Sequence, residues 1–354
     1  MDWVFEMKNV ATAQTSAAHG RHGIDASLLE REIEFEDGEV SENRVREILD
    51  HDVRSYFHGN FASLKDLISP GGFASYDGKG TDLLAALEDR ESLHFLVLSY
   101  LGKMQNALRA PYRNPDLSSI AFLNRLDFFA RTVEKITGKD TSVTIAAENK
   151  AFDISIFRTG HDFSEQMIES TRSLIRDFGL TKVRVEPLEK FLGGEEYYRE
   201  FEAELELERA DDKLKNSSGF RHIYEIFYML YPTRTFEESV KLYTSESGAA
   251  EIAEWTTESA LRYSAFHEAR AKTDFWGRNG DYIRSSVSSR PNVLVFQYGP
   301  GRVSPFNGVS TLDSMKVGTE YFSDLVGDSA SGKVVFRRLK HNGLPFIFDT
   351  GADA

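Results

Sequence analysis

Residues 282–312 read YIRSSVSSRPNVLVFQYGPGRVSPFNGVSTL. Val293 to Phe296 form a short apolar, β-branched run, and Tyr298-Gly299-Pro300-Gly301 is the kind of punctuation that reverses a chain between two strands. The pattern predicts a strand at 293–296 with Arg302 to Thr311 returning beside it. Pro305 cannot donate to a ladder, so the return strand is expected to be an edge, or bulged near Ser304-Pro305-Phe306-Asn307-Gly308. A bulge re-aims side chains, which makes this stretch a candidate site. Arg284 is followed at once by Ser285 and Ser286. A guanidinium beside hydroxyls is a bidentate receptor for carboxylate or phosphate, and an ion pair with one of the chain's many acids is the other reading.

Upstream, Trp255, Ser259, Tyr263, Phe266 and Arg270 recur at spacings of three and four, which predicts a helix ending at Arg270, with Arg262 and His267 flanking its face. His267 has two readings, a packed or surface histidine and a proton carrier. Downstream, Val334 to Lys340, the His341-Asn342-Gly343 turn and Leu344 to Phe348 predict a hairpin extending the sheet. Towards the amino terminus, Ser142 to Ala146, Phe152 to Phe157 and Lys182 to Glu186 read as strands, and Asp162 to Phe178 as a helix closed by Gly179. The last two strands with that helix make the best βαβ unit in the chain, expected parallel in one sheet. Its connection, Arg158-Thr159-Gly160-His161, lies where open α/β sheets bind ligands. Arg158, Thr159 and the helix amides suit a phosphate or carboxylate, while the plainer reading has Thr159 and Asp162 capping the helix.

The first 140 residues read as mostly helical after a loosely held arm to about residue 40. Helices are expected from a Ser41 cap through Phe57, from Thr81 into the apolar run Leu93 to Leu101, and from about Ser118 to Thr137 with Gly138 closing it. Residues 193–270 return to helix, with an acid-rich stretch Glu195 to Glu208 and an aromatic one, Phe220 to Tyr231, opened by Arg221-His222. The expected fold class is therefore α/β, one mixed sheet with a Rossmann-like βαβ unit and extensive helical additions. Its division is residues 1–140, mostly helical, and 141–354, the α/β region carrying the candidate site.

Composition bounds function. With 354 residues, the chain has ample apolar content for a core. The net charge of −14 argues against nucleic acid as partner, and there is no cysteine, which removes disulfides, thiol nucleophiles and thiolate-bound metals and is compatible with a cytoplasmic location. No apolar run reaches membrane-spanning length, and the amino terminus does not read as a secretory signal. No histidine stands at ligand spacing among the acids of 195–208, so no metal is expected, and no cofactor.

The segments Ile283-Arg284-Ser285-Ser286-Val287-Ser288 and Ser304-Pro305-Phe306-Asn307-Gly308-Val309, with the preceding Leu261 to Arg270, resemble the carboxy-terminal part of the isonitrile synthases of the pyoverdine/dityrosine biosynthesis family. That family carries Ile-Arg-Leu-Ser-Ile-His, a strand, then Thr-Pro-Trp-His-Gly-Val. Roughly a third of the chain is covered. Ser288 and Asn307 stand where the family has histidines, and neither side chain titrates near neutrality. The resemblance implies small-molecule substrates, an aromatic amino acid and ribulose 5-phosphate, and conversion of the amino group to an isonitrile. It further implies that Arg284, with Arg158 or Lys150, binds the anionic groups. Ser286, Thr159, Asn307 and Arg270 complete the substrate-binding set, and His267 or His222 supplies the titrating group. A diverged member with different chemistry, or a binding role, is the alternative.

Overall fold

The computed structural model describes residues 36–59, 61–76, 78, 80–99, 115–147, 163–210, 258, 261–262, 264–287, 292–297, 309–313, 315–320, 337–341 and 344–349. The chain has an α/β fold, with two sheets among the described residues. The strands, in chain order, are β1 (Glu36–Glu39), β2 (Ala74–Tyr76), β3 (Leu93–Ser99), β4 (Thr141–Ala147), β5 (Val183–Pro187), β6 (Ile283–Ser286), β7 (Leu294–Phe296), β8 (Val309–Asp313), β9 (Lys316–Glu320), β10 (Arg337–His341) and β11 (Leu344–Asp349). The larger sheet runs β2-β7-β6-β3-β4-β5 and the smaller β1-β10-β11-β8-β9. In the larger sheet every neighbouring pair is parallel except β2 with β7.

Helix α1 (Glu42–Tyr56) starts where Ser41 accepts from the Arg44 amide, and its buried residues Val45, Ile48, Leu49, Asp52 and Val53 follow the helical period. Two short helices follow, α2 (Leu64–Leu67) and α3 (Gly80–Glu88). Helix α4 (Leu117–Thr137) is capped by Asp116 and closed by Gly138 at φ 70°. Its first half is buried almost all round, because it touches β4 and β5 of the larger sheet and β8 and β9 of the smaller. Phe95, Phe122, Phe129 and Phe296 are fully buried at this junction, with the Phe129 and Phe296 rings 5.0 Å apart. Helix α5 (Phe163–Asp177) links β4 to its parallel neighbour β5.

Open space surrounds the position of a Gly138 Cβ, so only the left-handed backbone demands glycine there. Gly138→Ala is expected to cost about 1 kcal/mol through backbone strain alone. Urea unfolding measures it, and an unchanged midpoint would show that the α4 terminus relaxes at no cost.

Several sequence expectations are corrected. Strands expected in one mixed sheet divide between two, since β8 to β11 build the smaller sheet with β1. Strand β7 pairs with β6 and β2, and of the expected return strand residues 309–311 belong to β8 of the smaller sheet while 302–308 lie outside the described residues; turn residues mark where a run ends and carry no information on its partner. Residues 93–99, expected helical, form β3 at the centre of the larger sheet. A parallel strand covered on both faces is a continuous apolar run without period. Residues 36–39 of the supposed arm are an edge strand parallel to β10. The observed βαβ unit takes β4 as its first strand; residues 152–157 lie outside the described residues. The Ser41 cap, the Gly138 and Gly179 stops, and the antiparallel hairpin of β10 and β11 stand as expected.

Candidate functional site

The order of the larger sheet has a reversal. From β3 the chain moves through α4 to β4 and on to β5, whereas β6 and β7 lie on the other side of β3. Open α/β sheets bind ligands outside the carboxyl ends of the strands at such a switch point, here the ends of β3 and β6 at Ser99 and Ser286. The segments that follow β3 and β4 in sequence lie outside the described residues.

Strand β6 alternates strictly. Ile283 and Ser285 are buried, in register with Phe95 and Val97 of β3, while Arg284 is exposed opposite Leu96 and Ser286 is half-buried. Arg284 and Ser286 therefore share the face turned away from the phenylalanine cluster.

The residues leading into β6 hold Arg284 in place. The short helix α6 (Glu189–Leu192) follows β5, and α7 (Glu195–Ala210) follows it. A helix through residues 264–272 runs against α7. Ser264 donates to Glu208 at 2.6 Å, and Lys272 pairs with Glu200 at 3.3 Å and with the buried Glu204. The Glu204 hydrogen bond pushes the Lys272 ammonium above its usual range. Glu258 receives Arg209 at 2.6 Å and Arg262 at 2.8 Å. Burial alone would raise the Glu258 carboxyl, but the two guanidiniums together hold it below the usual range.

The chain then turns through α8 (Phe275–Arg278) into β6. Asp274 adopts a left-handed conformation, φ 48°, and its carboxylate accepts from the Gly277 amide at 3.2 Å. A Cβ on Gly277 would collide with that carboxylate, so any larger residue there would have to displace the Asp274 side chain. Asn279 donates to the Phe191 carbonyl at 3.1 Å, Arg278 pairs with Glu196, and Arg90 donates to the carbonyls of Asp281 at 2.8 Å and Gly280 at 3.2 Å. This bracing fixes Trp276, whose indole lies under the Arg284 guanidinium at 5.1 Å and meets Phe275 edge-on at 5.0 Å.

His267 and Arg270 meet directly, with the Arg270 guanidinium 2.9 Å from His267 Nδ1. A guanidinium can only donate, so Nδ1 accepts and the neutral imidazole carries its proton on Nε2. Arg270 is buried and lies 5.6 Å from the rings of both Phe266 and Phe275. Three sequence-predicted residues, His267, Arg270 and Arg284, are joined by a relay of contacts. His267 and Arg270 are in contact, and Phe275 and Trp276 connect them to Arg284 and so to the strand bearing Ser286. Trp276 was not anticipated; its signal was an aromatic pair in the short connection eight residues before Arg284. Lys150, Arg158, Thr159, His222 and Asn307 lie outside the described residues. No cluster of side chains suited to a metal ion occurs among the described residues, and no helix among them is long and apolar enough to cross a membrane.

No family model and no curated protein matches this sequence. Among solved structures, the chain is similar to the crystal structure of the PvcA protein from Pseudomonas aeruginosa, with a TM-score of 0.55 and 17% identity over 75% of this chain and 88% of PvcA. At that identity the likeness is one of fold, and it places the two-sheet α/β architecture beside that of PvcA.

Proposed function

We propose that the protein is an isonitrile-synthase-like enzyme that converts the amino group of an aromatic amino acid to an isonitrile with ribulose 5-phosphate as the second substrate. The observation that carries this reading is Arg284, exposed on the switch-point strand of a PvcA-like fold, in the segment that resembles the isonitrile synthases. Such a reaction needs receptors for a carboxylate and a phosphate, a wall for the ring, and a group that moves protons during imine formation and fragmentation. Arg284 and Ser286 serve as one anion receptor with Asn307 facing the same cavity, and Arg158 or Lys150, with Thr159, is assigned to the other. His267, oriented by Arg270, or His222 serves as the proton carrier.

Incubation with tyrosine or tryptophan and ribulose 5-phosphate is expected to yield an isonitrile, detected by mass spectrometry. No product with either amino acid, together with an unchanged Tm on adding the sugar phosphate, would overturn the proposal. A second reading, small-molecule binding without this chemistry, is favoured by Ser288 and Asn307 in place of the family's histidines. Saturable binding of both substrates with no product would establish it instead.

A further inference from the structure

We infer that β1 is a detachable strap, held along the edge of β10 by charge and released by salt while the rest of the chain stays folded. Its four residues, Glu36, Asp37, Gly38 and Glu39, include no apolar side chain, so apolar burial does not hold it. Gly38 weakens it further, because glycine gives up more conformational freedom in a strand than any other residue. Four backbone positions at a sheet edge return little net, since water competes for the same hydrogen bonds. What remains is the register. Along the parallel ladder Glu36 stands opposite Arg337, Asp37 opposite Arg338 and Glu39 opposite Lys340, so three of the four positions set an acid against a base. Register partners in neighbouring strands share a face about 4.8 Å apart, near enough for each pair to attract. That spacing is well inside the screening length of about 8 Å at physiological ionic strength, and beyond the length of about 3 Å at 1 M salt.

The edge strand β2 of the larger sheet is built the other way. It begins at the fully buried Ala74, directly after the buried Phe73, whose ring lies 5.9 Å from that of Phe296. Apolar anchoring of this kind is not screened by salt. The limit of release is equally defined. Directly after β1, Val40 is buried and Ser41 caps α1, its carbonyl accepting from the Val45 amide at 3.0 Å. Val45, Ile48 and Leu49 then anchor that helix in the core. Opening therefore stops at residues 40–41, which makes β1 a local unfolding unit of its own. On its other side β10 is paired with β11, so release of β1 uncovers one edge of β10, a template for an added strand.

Hydrogen exchange of the full chain, followed by mass spectrometry at fixed pH in about 0.05 M and about 1 M sodium chloride, tests the strap. Protection over residues 36–39 is expected to fall roughly 3- to 100-fold between the two, the span for three cross-strand charge pairs, while β2 and β3 keep theirs. Asp37→Lys together with Glu39→Lys, two positions on one face of β1, is expected to leave the strap open even in low salt. Adding Arg338→Glu and Lys340→Glu returns opposite charge to the same register and should restore protection. Those two residues stand opposite Phe348 and Pro345 in β11, so the exchange creates no like-charge pair on that side. The urea midpoint is expected to stay nearly constant across the set, because the core lies outside the strap. Protection of 36–39 that ignores salt, an equal loss at β2, or an exchange of charges that fails to restore what the first pair of substitutions removed would each overturn the strap.

Discussion

Asp52→Ala is expected to destabilise the fold by about 3–5 kcal/mol, read as a fall in the urea midpoint. Asp52 and Arg125 lie 3% and 1% exposed between α1 and α4, joined by two parallel hydrogen bonds of 2.5 Å. The Tyr56 ring covers the guanidinium at 3.9 Å, and burial pushes its phenol up to about 12, so it stays neutral throughout the working range. Removing the carboxylate leaves a guanidinium in the fully packed layer between two sheets without its forked acceptor. Replacing both partners by Leu and Met is a different experiment and should cost far less, because a buried ion pair returns little beyond its own desolvation. The same physics sets the pH dependence. Burial is the largest influence on Asp52 and raises its carboxyl above the ordinary value of 3.8, with the hydrogen bond and charge of Arg125 opposing it. A raised folded value means the folded chain holds that proton more tightly. Its contribution is therefore complete below the ordinary value and is lost as pH rises through the raised one. Against Asp52→Asn, the wild type should gain stability as pH is lowered through that window. A loss in Asp52→Ala below about 1 kcal/mol would show that Arg125 finds an equivalent charge partner elsewhere.

The Asp52–Arg125 pair is not legible in the sequence. Val45, Ile48, Leu49, Val53 and Tyr56 mark the buried face of α1 by period alone, and Asp52 falls on that face. A carboxylate among apolar neighbours calls for a partner, but nothing local names Arg125, 73 residues away. Local signals were legible wherever the physics is local: the Ser41 and Gly138 helix ends, the β10–β11 hairpin, and the period of α5. Pairing across the chain was not. The β7 run was visible as a strand, but its assignment to β2 and β6 depends on contacts more than 200 residues apart for β2, and the sheet to which β8 belongs depends on β11. Strand β3 was misread because burial on both faces erases the alternation that identifies a strand. At the site, Arg284, Ser286, Arg270 and His267 were legible as residue types suited to anions and protons. Trp276 was not, since its importance lies in one stacking contact made after the turn at Asp274 has folded.

Arg284→Ala is expected to weaken binding of the carboxylate substrate by about 1.5–3 kcal/mol, roughly 10- to 150-fold in Kd, while leaving the urea midpoint nearly unchanged. The two halves of this expectation rest on different observations. The affinity loss follows from removing both arms of a charge-assisted fork at the switch-point strand. The small stability effect follows from exposure: the Arg284 side chain is turned away from the core formed by its neighbours Ile283 and Ser285, and its stacking on Trp276 takes place at a solvent-accessible surface. A purely structural arginine would show the reverse, a lower midpoint with ligand affinity preserved in the folded fraction. Calorimetric titration with tyrosine and urea unfolding on the same preparation distinguish the two. If activity is retained in the variant with an elevated KM and an unchanged kcat, Arg284 contributes binding that is equal in the ground and transition states. If kcat falls as well, the carboxylate contact also holds the amino group in line for attack, and Arg284 would be part of the chemistry's geometry as well as its affinity.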